Sequence, residues 1–155
     1  MNTDVPADRD VPYERGLPIQ WVALIFTVLF LGVGILGFIP GTTTQYMSMR
    51  FAGHHSTAML FGLFQVSVLH NIVHLLYGIA GALVRRSPTG SFHYLLWGGI
   101  VYAALGLYGL FINSDSGANF VPLNTPDNWL HFGLAVLMIG CAVVFRYRRF
   151  EEKDR

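Results

Sequence analysis

What this sequence has least of is charge. Only 12% of its 155 residues are Asp, Glu, Lys or Arg, against roughly 25% in an average soluble domain. The shortage is concentrated: no charged residue falls between Arg15 and Arg50, from Phe51 to Val84, from Ser87 to Ser114, or from Asn128 to Phe145. With 53% hydrophobic residues, a water-soluble fold could not cover its apolar surface. Cysteine is nearly absent. Cys141 alone excludes an internal disulfide and any CxxC metal or redox motif, and in its apolar run it reads as a small buried side chain. A net charge of +1 leaves no basic face for nucleic acid. No Ser-His-Asp or Cys-His arrangement with nucleophile spacing is present, so hydrolysis has no support.

What remains is four long uncharged stretches. A membrane-spanning helix needs about 20 mostly apolar residues, and the four stretches supply spans at about residues 19–39, 57–84, 92–112 and 128–145. The expected fold is therefore all-α: a four-transmembrane-helix bundle over residues 17–146, with polar tails at 1–16 and 147–155. The first span is too long for a secretory h-region, which runs about 7–15 residues, and it follows Asp4, Asp8, Asp10 and Glu14. The fourth span is short, and Arg146 and Arg148 can complete it by snorkelling. Lys and Arg are richest in the N-terminal segment (Arg9, Arg15), the second connection (Arg85, Arg86) and the C-terminal tail. By the positive-inside rule both termini are then cytoplasmic, in a bacterial inner membrane, with residues 113–127 outside. The basic tail suits anionic lipid heads, and the long outer loop is expected to fold back on the bundle. Thr125-Pro126 reads as an N-cap followed by Pro at the first helical position.

Two patterns recur within the chain. His70-Asn71-Ile72-Val73-His74 resembles Asp127-Asn128-Trp129-Leu130-His131, and each follows a Gly/Phe-rich segment. A duplicated helical hairpin would produce this echo. Gly32, Gly34 and Gly37 match GxGxxG in letters, but the dinucleotide motif must follow a strand and open a helix. Inside a span with no acidic residue about 20 positions on, the pattern reads as small residues for close helix packing. Gly78/Gly81, Gly98/Gly99 and Gly106/Gly109 read the same way, and nucleotide binding is rejected.

The second span carries the chemistry. Ser67, His70, Asn71, His74, Gly78 and Gly81 share one helix face, and polar groups on a spanning helix turn toward the bundle interior. His70 and His74 stand one turn apart, as paired histidines do in helical zinc sites. His70 precedes Arg85, and His131 precedes Arg146, by the same interval, which places both roughly 22 Å from the cytoplasmic edge. Asp127 and Asn128 join them from the fourth span, and His54 and His55 sit at the outer mouth. Four readings compete. The first is a hydrogen-bonded polar network in a non-enzymatic structural or accessory component. They could instead hold a transition metal on His70, His74, His131 and Asp127, or a haem between His70 or His74 and His131 in a redox or sensing protein. The fourth is a proton or solute path in a small transporter, where a homo-oligomer or larger complex would be needed. Asp127 also has a reading of its own, since a carboxylate is favoured in the first turn of any helix. Trp21, Trp97 and Trp129 fall near span ends, where aromatic belts form.

At GHHSTAMLFGLFQVSVLHNIVHLLYGIAG and NFVPLNTPDNWLHFGLAVLMI the chain resembles a bacterial, chiefly actinobacterial, four-span membrane family described as domain of unknown function 4383. The resemblance covers residues 20–146, and rests on the LGFIPG turn, GHH, the HNxxHLLxGxAG helix and the NFVPLNxxDNWLH segment. It implies family membership and topology, and no activity.

Overall fold

The computed structural model describes residues 18–153, with side chains as far as residue 145. The tail expected at 1–16, and the basic side chains expected at 147–155, lie outside that description. Four helices dominate: α1 (Pro18–Leu36), α2 (Val68–Val84), α3 (Pro88–Phe111) and α4 (Thr125–Lys153). Three are long and apolar enough to cross a membrane, namely α1, α3 and the Thr125–Phe145 part of α4, while α2 is a shorter apolar helix of 17 residues.

Close approach at glycine sets how these helices pair. A methyl group at Gly37 would overlap the Asn71 amide, one at Gly34 would meet Leu75, and one at Gly78 would meet Leu31. Low numbers on α1 therefore face high numbers on α2, so the two run antiparallel. The second pair repeats the scheme, with Gly109 against Asn128, Gly106 against Phe132 and Gly99 against Ile139. This is the small-residue packing the glycine spacing predicts, except at Gly32, where an added methyl group would meet nothing within 4 Å. α1 packs along α2 and α3 along α4, whereas α2 and α3, like α1 and α4, touch sparingly. At the centre, the rings of Phe30 and Tyr102 stack with centroids 5.3 Å apart and planes 4° from parallel. Around them Ala23, Leu95, Leu134, Met138 and Ala142 close the core.

The expectation of an all-α fold with helix from residue 57 is corrected. Residues 43–65 contain a small antiparallel sheet of β1 (Thr43–Thr44), β2 (Met59–Leu60) and β3 (Phe64–Gln65), in the order β1-β2-β3. Phe61 and Gly62 take positive φ angles of 53° and 70°, which turn the chain back on itself where a helix would require negative φ. Helix begins only after Ser67, whose Oγ accepts the His70 N–H at 3.1 Å as an N-cap. Ser67 is thus buried as expected, but as a cap and not on a helix turn. A short apolar run reads alike for a buried strand and a buried helix, which is why the periodicity missed this. Ala58, Leu60 and Val66 form a small core of their own against Val33 and Leu36 of α1.

The start of α4 is corrected as well. Asn124, and not Thr125, is its cap: Asn124 Oδ1 accepts the Asp127 N–H at 2.9 Å, and Asp127 Oδ2 accepts the Asn124 N–H at 3.0 Å. This is a reciprocal capping box, with an amide and a carboxylate in the usual hydroxyl and Glu roles. α3 begins at Pro88, four residues earlier than expected, because Ser87 caps it by accepting the Gly90 N–H.

The segment between α3 and α4 does fold back, burying Asn119, Pro122 and Leu123. Its Phe120 carbonyl accepts the Gly53 N–H at 2.7 Å, joining it to the α1–α2 connection. Both long connections thus meet at one end of the bundle. At the other end, Gln20 Nε2 donates to the carbonyls of Arg85 and Arg86 in the short α2–α3 link.

Candidate functional site

The helical face expected to turn inward does so. On α2, His70, Asn71, His74, Gly78 and Gly81 are buried, and on α4 Asp127, Asn128 and His131 are buried beside them.

Asn71 and Asn128 fill the glycine notches at Gly37 and Gly109. Asn71 Nδ2 also reaches the Met49 sulfur at 3.9 Å. Asp127, only 1% exposed, accepts on Oδ2 from the backbone N–H of Gln65 as well as that of Asn124, both at 3.0 Å. Its carboxylate therefore ties β3 to the first turn of α4. Asn124 adds a second tie, donating from Nδ2 to the Leu63 carbonyl at 2.8 Å.

The three histidines form the other half of the site, and all are buried. The His70 and His74 rings lie 4.4 Å apart, 31° from parallel. His74 Nδ1 is 3.0 Å from the His70 carbonyl; a carbonyl only accepts, so the ring carries its proton on Nδ1. That leaves Nε2 facing the Tyr102 hydroxyl at 3.5 Å, the outer limit of a hydrogen bond. The Tyr102 ring also stands 5.2 Å from His131, and Phe30 stands 5.8 Å from His74. Nδ1 of His131 is buried with no hydrogen-bond partner among the described residues, and so are Oδ1 of Asn71 and of Asn128.

His70, His74 and His131 line one cavity of about 260 Å³, together with Tyr77 and Tyr102. It lies where α2 and α3 separate. Val73 and Val101 form its rim, and both are about half exposed on the outer surface of the bundle. Val121, from the connection that folds back, closes the end. Among the described residues no three His, Cys, Asp or Glu side chains converge so as to hold one metal ion; in this arrangement Asp127 is turned to backbone amides. His54 and His55 pack ring to ring at 3.9 Å in the α1–α2 connection and take no part in the cavity.

Tyr77, Tyr102, Phe30, Gln65 and Asn124 were not among the residues the sequence singled out. For Tyr102 a signal existed: Gly98, Tyr102 and Gly106 are spaced four apart and share one inward face of α3. For Gln65, which contributes through its backbone N–H, side-chain chemistry offered no signal.

A family model described as a domain of unknown function (DUF4383) matches residues 20–144. No curated protein and no solved structure matches the chain.

Proposed function

The chain belongs to the DUF4383 family of domains of unknown function, and on that basis we propose that it is a four-crossing cell-membrane protein serving as a non-enzymatic structural or accessory component. The observation that carries this reading is its inverted polarity. Trp21, Val28, Leu76, Leu83, Trp97, Val101, Val136 and Leu137 are exposed on the outside of all four helices, while Thr27, Asn71, His74, Ser91, Asn128 and His131 are buried. Water would make that outer surface costly, and lipid makes it favourable. At 17 residues, α2 is about 25 Å long, near the lower limit for a hydrocarbon core about 30 Å thick. The sheet that precedes it sits at the end of the bundle, where irregular backbone can meet water.

The uses of the polar groups support a packing role over chemistry. Asp127 bonds backbone amides, His74 bonds a backbone carbonyl, and the two asparagines fill glycine notches. The shared notches and caps favour two like hairpins, α1–α2 and α3–α4, joined at the cytoplasmic side by Arg85 and Arg86. Both termini are then cytoplasmic.

Two measurements test this. In a Cys141→Ser background, single cysteines at Ser114→Cys and Thr89→Cys are exposed to a membrane-impermeant maleimide in intact cells. Labelling at 114, with labelling at 89 only after lysis, is expected; the same response at both sites overturns the four-crossing topology. The purified protein should also be colourless and hold far less than one metal ion per chain. A Soret band, or about one metal per chain lost on His74→Ala, would transfer the protein to the metal- or haem-binding class.

A further inference from the structure

We propose that the turn joining β2 to β3, Phe61-Gly62-Leu63, is a membrane anchor that seats in the headgroup boundary of the outer leaflet, with lipid as its partner. The inference rests on the four-crossing reading and adds to it a surface outside the helices that binds the bilayer.

The residue choice in the turn is the first observation. The Leu63 N–H donates to the Leu60 carbonyl at 3.0 Å, and Phe61 and Gly62 between them have φ angles of 53° and 70°. Positive φ at both central residues is the pattern of a type I′ turn, where Asn-Gly is the usual pair. A bulky residue held at positive φ is strained, and burial within the protein offsets little of that cost. Phe61 is 56% exposed and Leu63 is 54% exposed. Asparagine would suit both the backbone and water; a phenyl ring suits an apolar surface outside the chain.

Depth identifies that surface. Asn124, the cap of α4, donates from Nδ2 to the Leu63 carbonyl, and Asp127 accepts the Gln65 N–H. From there α4 runs unbroken past Arg146. At about 1.5 Å per residue, Asn124 stands about 33 Å and Asp127 about 28 Å from Arg146, against a hydrocarbon core about 30 Å thick. With Arg146 at one face of that core, the turn lies at the other, the level where exposed aromatic rings collect. The same end of the bundle also exposes Ile39, Phe111 and Trp129.

The backbone permits the contact. A turn can approach hydrocarbon only if its polar backbone groups are satisfied. All three N–H groups are: Phe61 donates to the Thr42 carbonyl at 2.7 Å, Gly62 to that of Met59 at 3.2 Å, and Leu63 to that of Leu60. No charged residue falls between Phe51 and Val84, so nothing on the turn resists leaving water. The same lack leaves no ion pair to select a protein partner.

The test uses the full chain with Cys141→Ser, reconstituted in phosphatidylcholine vesicles and carrying one nitroxide on Leu63→Cys. The readout is spin relaxation by oxygen, which concentrates in lipid, relative to that by a water-soluble nickel chelate. Two further labels bracket the scale: Ser114→Cys in the outer connection, and Val136→Cys, which is 72% exposed and about 15 Å along α4 from Arg146. A ratio at Leu63 between these two is expected. Phe61→Asn, which fits the turn, should shift the Leu63 label toward the Ser114 value. A label on Phe61→Cys serves if the Leu63→Cys protein does not fold. A Leu63 ratio equal to that of Ser114, or no shift with Phe61→Asn, overturns the inference. Shielding of Leu63 from both reagents would mean that another polypeptide covers the turn, and overturns it as well. Nickel preference at Val136 would refute the spanning reading and the anchor with it, whereas oxygen preference at Val136 with nickel preference at Leu63 refutes the anchor alone.

Discussion

Asn71 lays its side-chain amide across Gly37, just past the end of α1, so closely that a Cβ at residue 37 would overlap it. Asn128 stands in the same relation to Gly109 of α3. The likeness extends outward from both contacts. Three residues before each glycine is another, Gly34 or Gly106, which meets the residue four beyond each asparagine, Leu75 or Phe132. Three residues beyond each asparagine is a histidine, His74 or His131, with an aromatic ring from α1 or α3 beside it, Phe30 or Tyr102. Four residues before each asparagine is a helix cap, Ser67 or Asn124. The short HNxxH and DNxxH echo in the sequence is therefore the visible part of a longer correspondence.

Gly37→Ala and Gly109→Ala should each destabilise the protein by about 1–3 kcal/mol, the usual cost of forcing atoms into a filled space. Thermal unfolding in detergent would show it as a lower Tm. Pairing Gly37→Ala with Asn71→Ala should cost less than the two single changes summed, because the clash and the amide are one contact. Strict additivity would mean the two residues do not press on each other.

Asp127→Ala should be more harmful than Asp127→Asn. Alanine leaves the partly buried N–H groups of Gln65 and Asn124 without their acceptor, at up to about 1–3 kcal/mol for each. Asparagine retains one oxygen in place. Hydrogen exchange at the Gln65 amide should accelerate strongly in the alanine variant and modestly in the asparagine variant. Equal behaviour of the two would assign Asp127 a role that depends on its charge.

Ser67→Ala should cost about 1 kcal/mol, typical of a lost helix N-cap. The effect should be local, with faster amide exchange at His70, whose N–H the Ser67 hydroxyl accepts, and little change in α3. Protection of His70 unchanged in the variant would contradict the cap.

Tyr102→Phe should change stability by less than about 0.5 kcal/mol, since its hydroxyl stands 3.5 Å from His74 Nε2 and a bond at that length contributes little. Tyr102→Ala should cost about 3–5 kcal/mol, because the ring stacks on Phe30 and borders His131. A phenylalanine variant as unstable as the alanine variant would move the weight from the ring to the hydroxyl.

Much of this molecule could be read from local pattern. Helix hydrogen bonds are made within a segment, so a face such as His70, Asn71, His74, Gly78 and Gly81 is set by spacing alone, and all five are buried. The small residues of α1 and α3 likewise announce close packing. Asp127 was legible only in part: its place in a first turn follows from sequence, whereas its bond to Gln65 spans a distant pair of residues. A bond of that kind exists because two connections meet in space, and no spacing encodes it.

Charge depletion and helical periodicity in the sequence were sufficient to identify four apolar helices and the inward face of two of them, while the resemblance to the family rests on the GHH, HNxxHLLxGxAG and NFVPLNxxDNWLH motifs. These depend on near neighbours along the chain. Tertiary structure alone decided three things. It replaced the helix expected at residues 57–67 with two short strands, a turn and a helix cap, because Phe61 and Gly62 reverse the chain and Ala58, Leu60 and Val66 find their own core. It drew Tyr102 between His74 and His131. And it kept α2 apart from α3 while each packed tightly on its own partner, so that the inward-facing histidines border a cavity and not a closed seam. Packing between distant segments sets each of these, and its strength depends on shape that only the assembled helices possess.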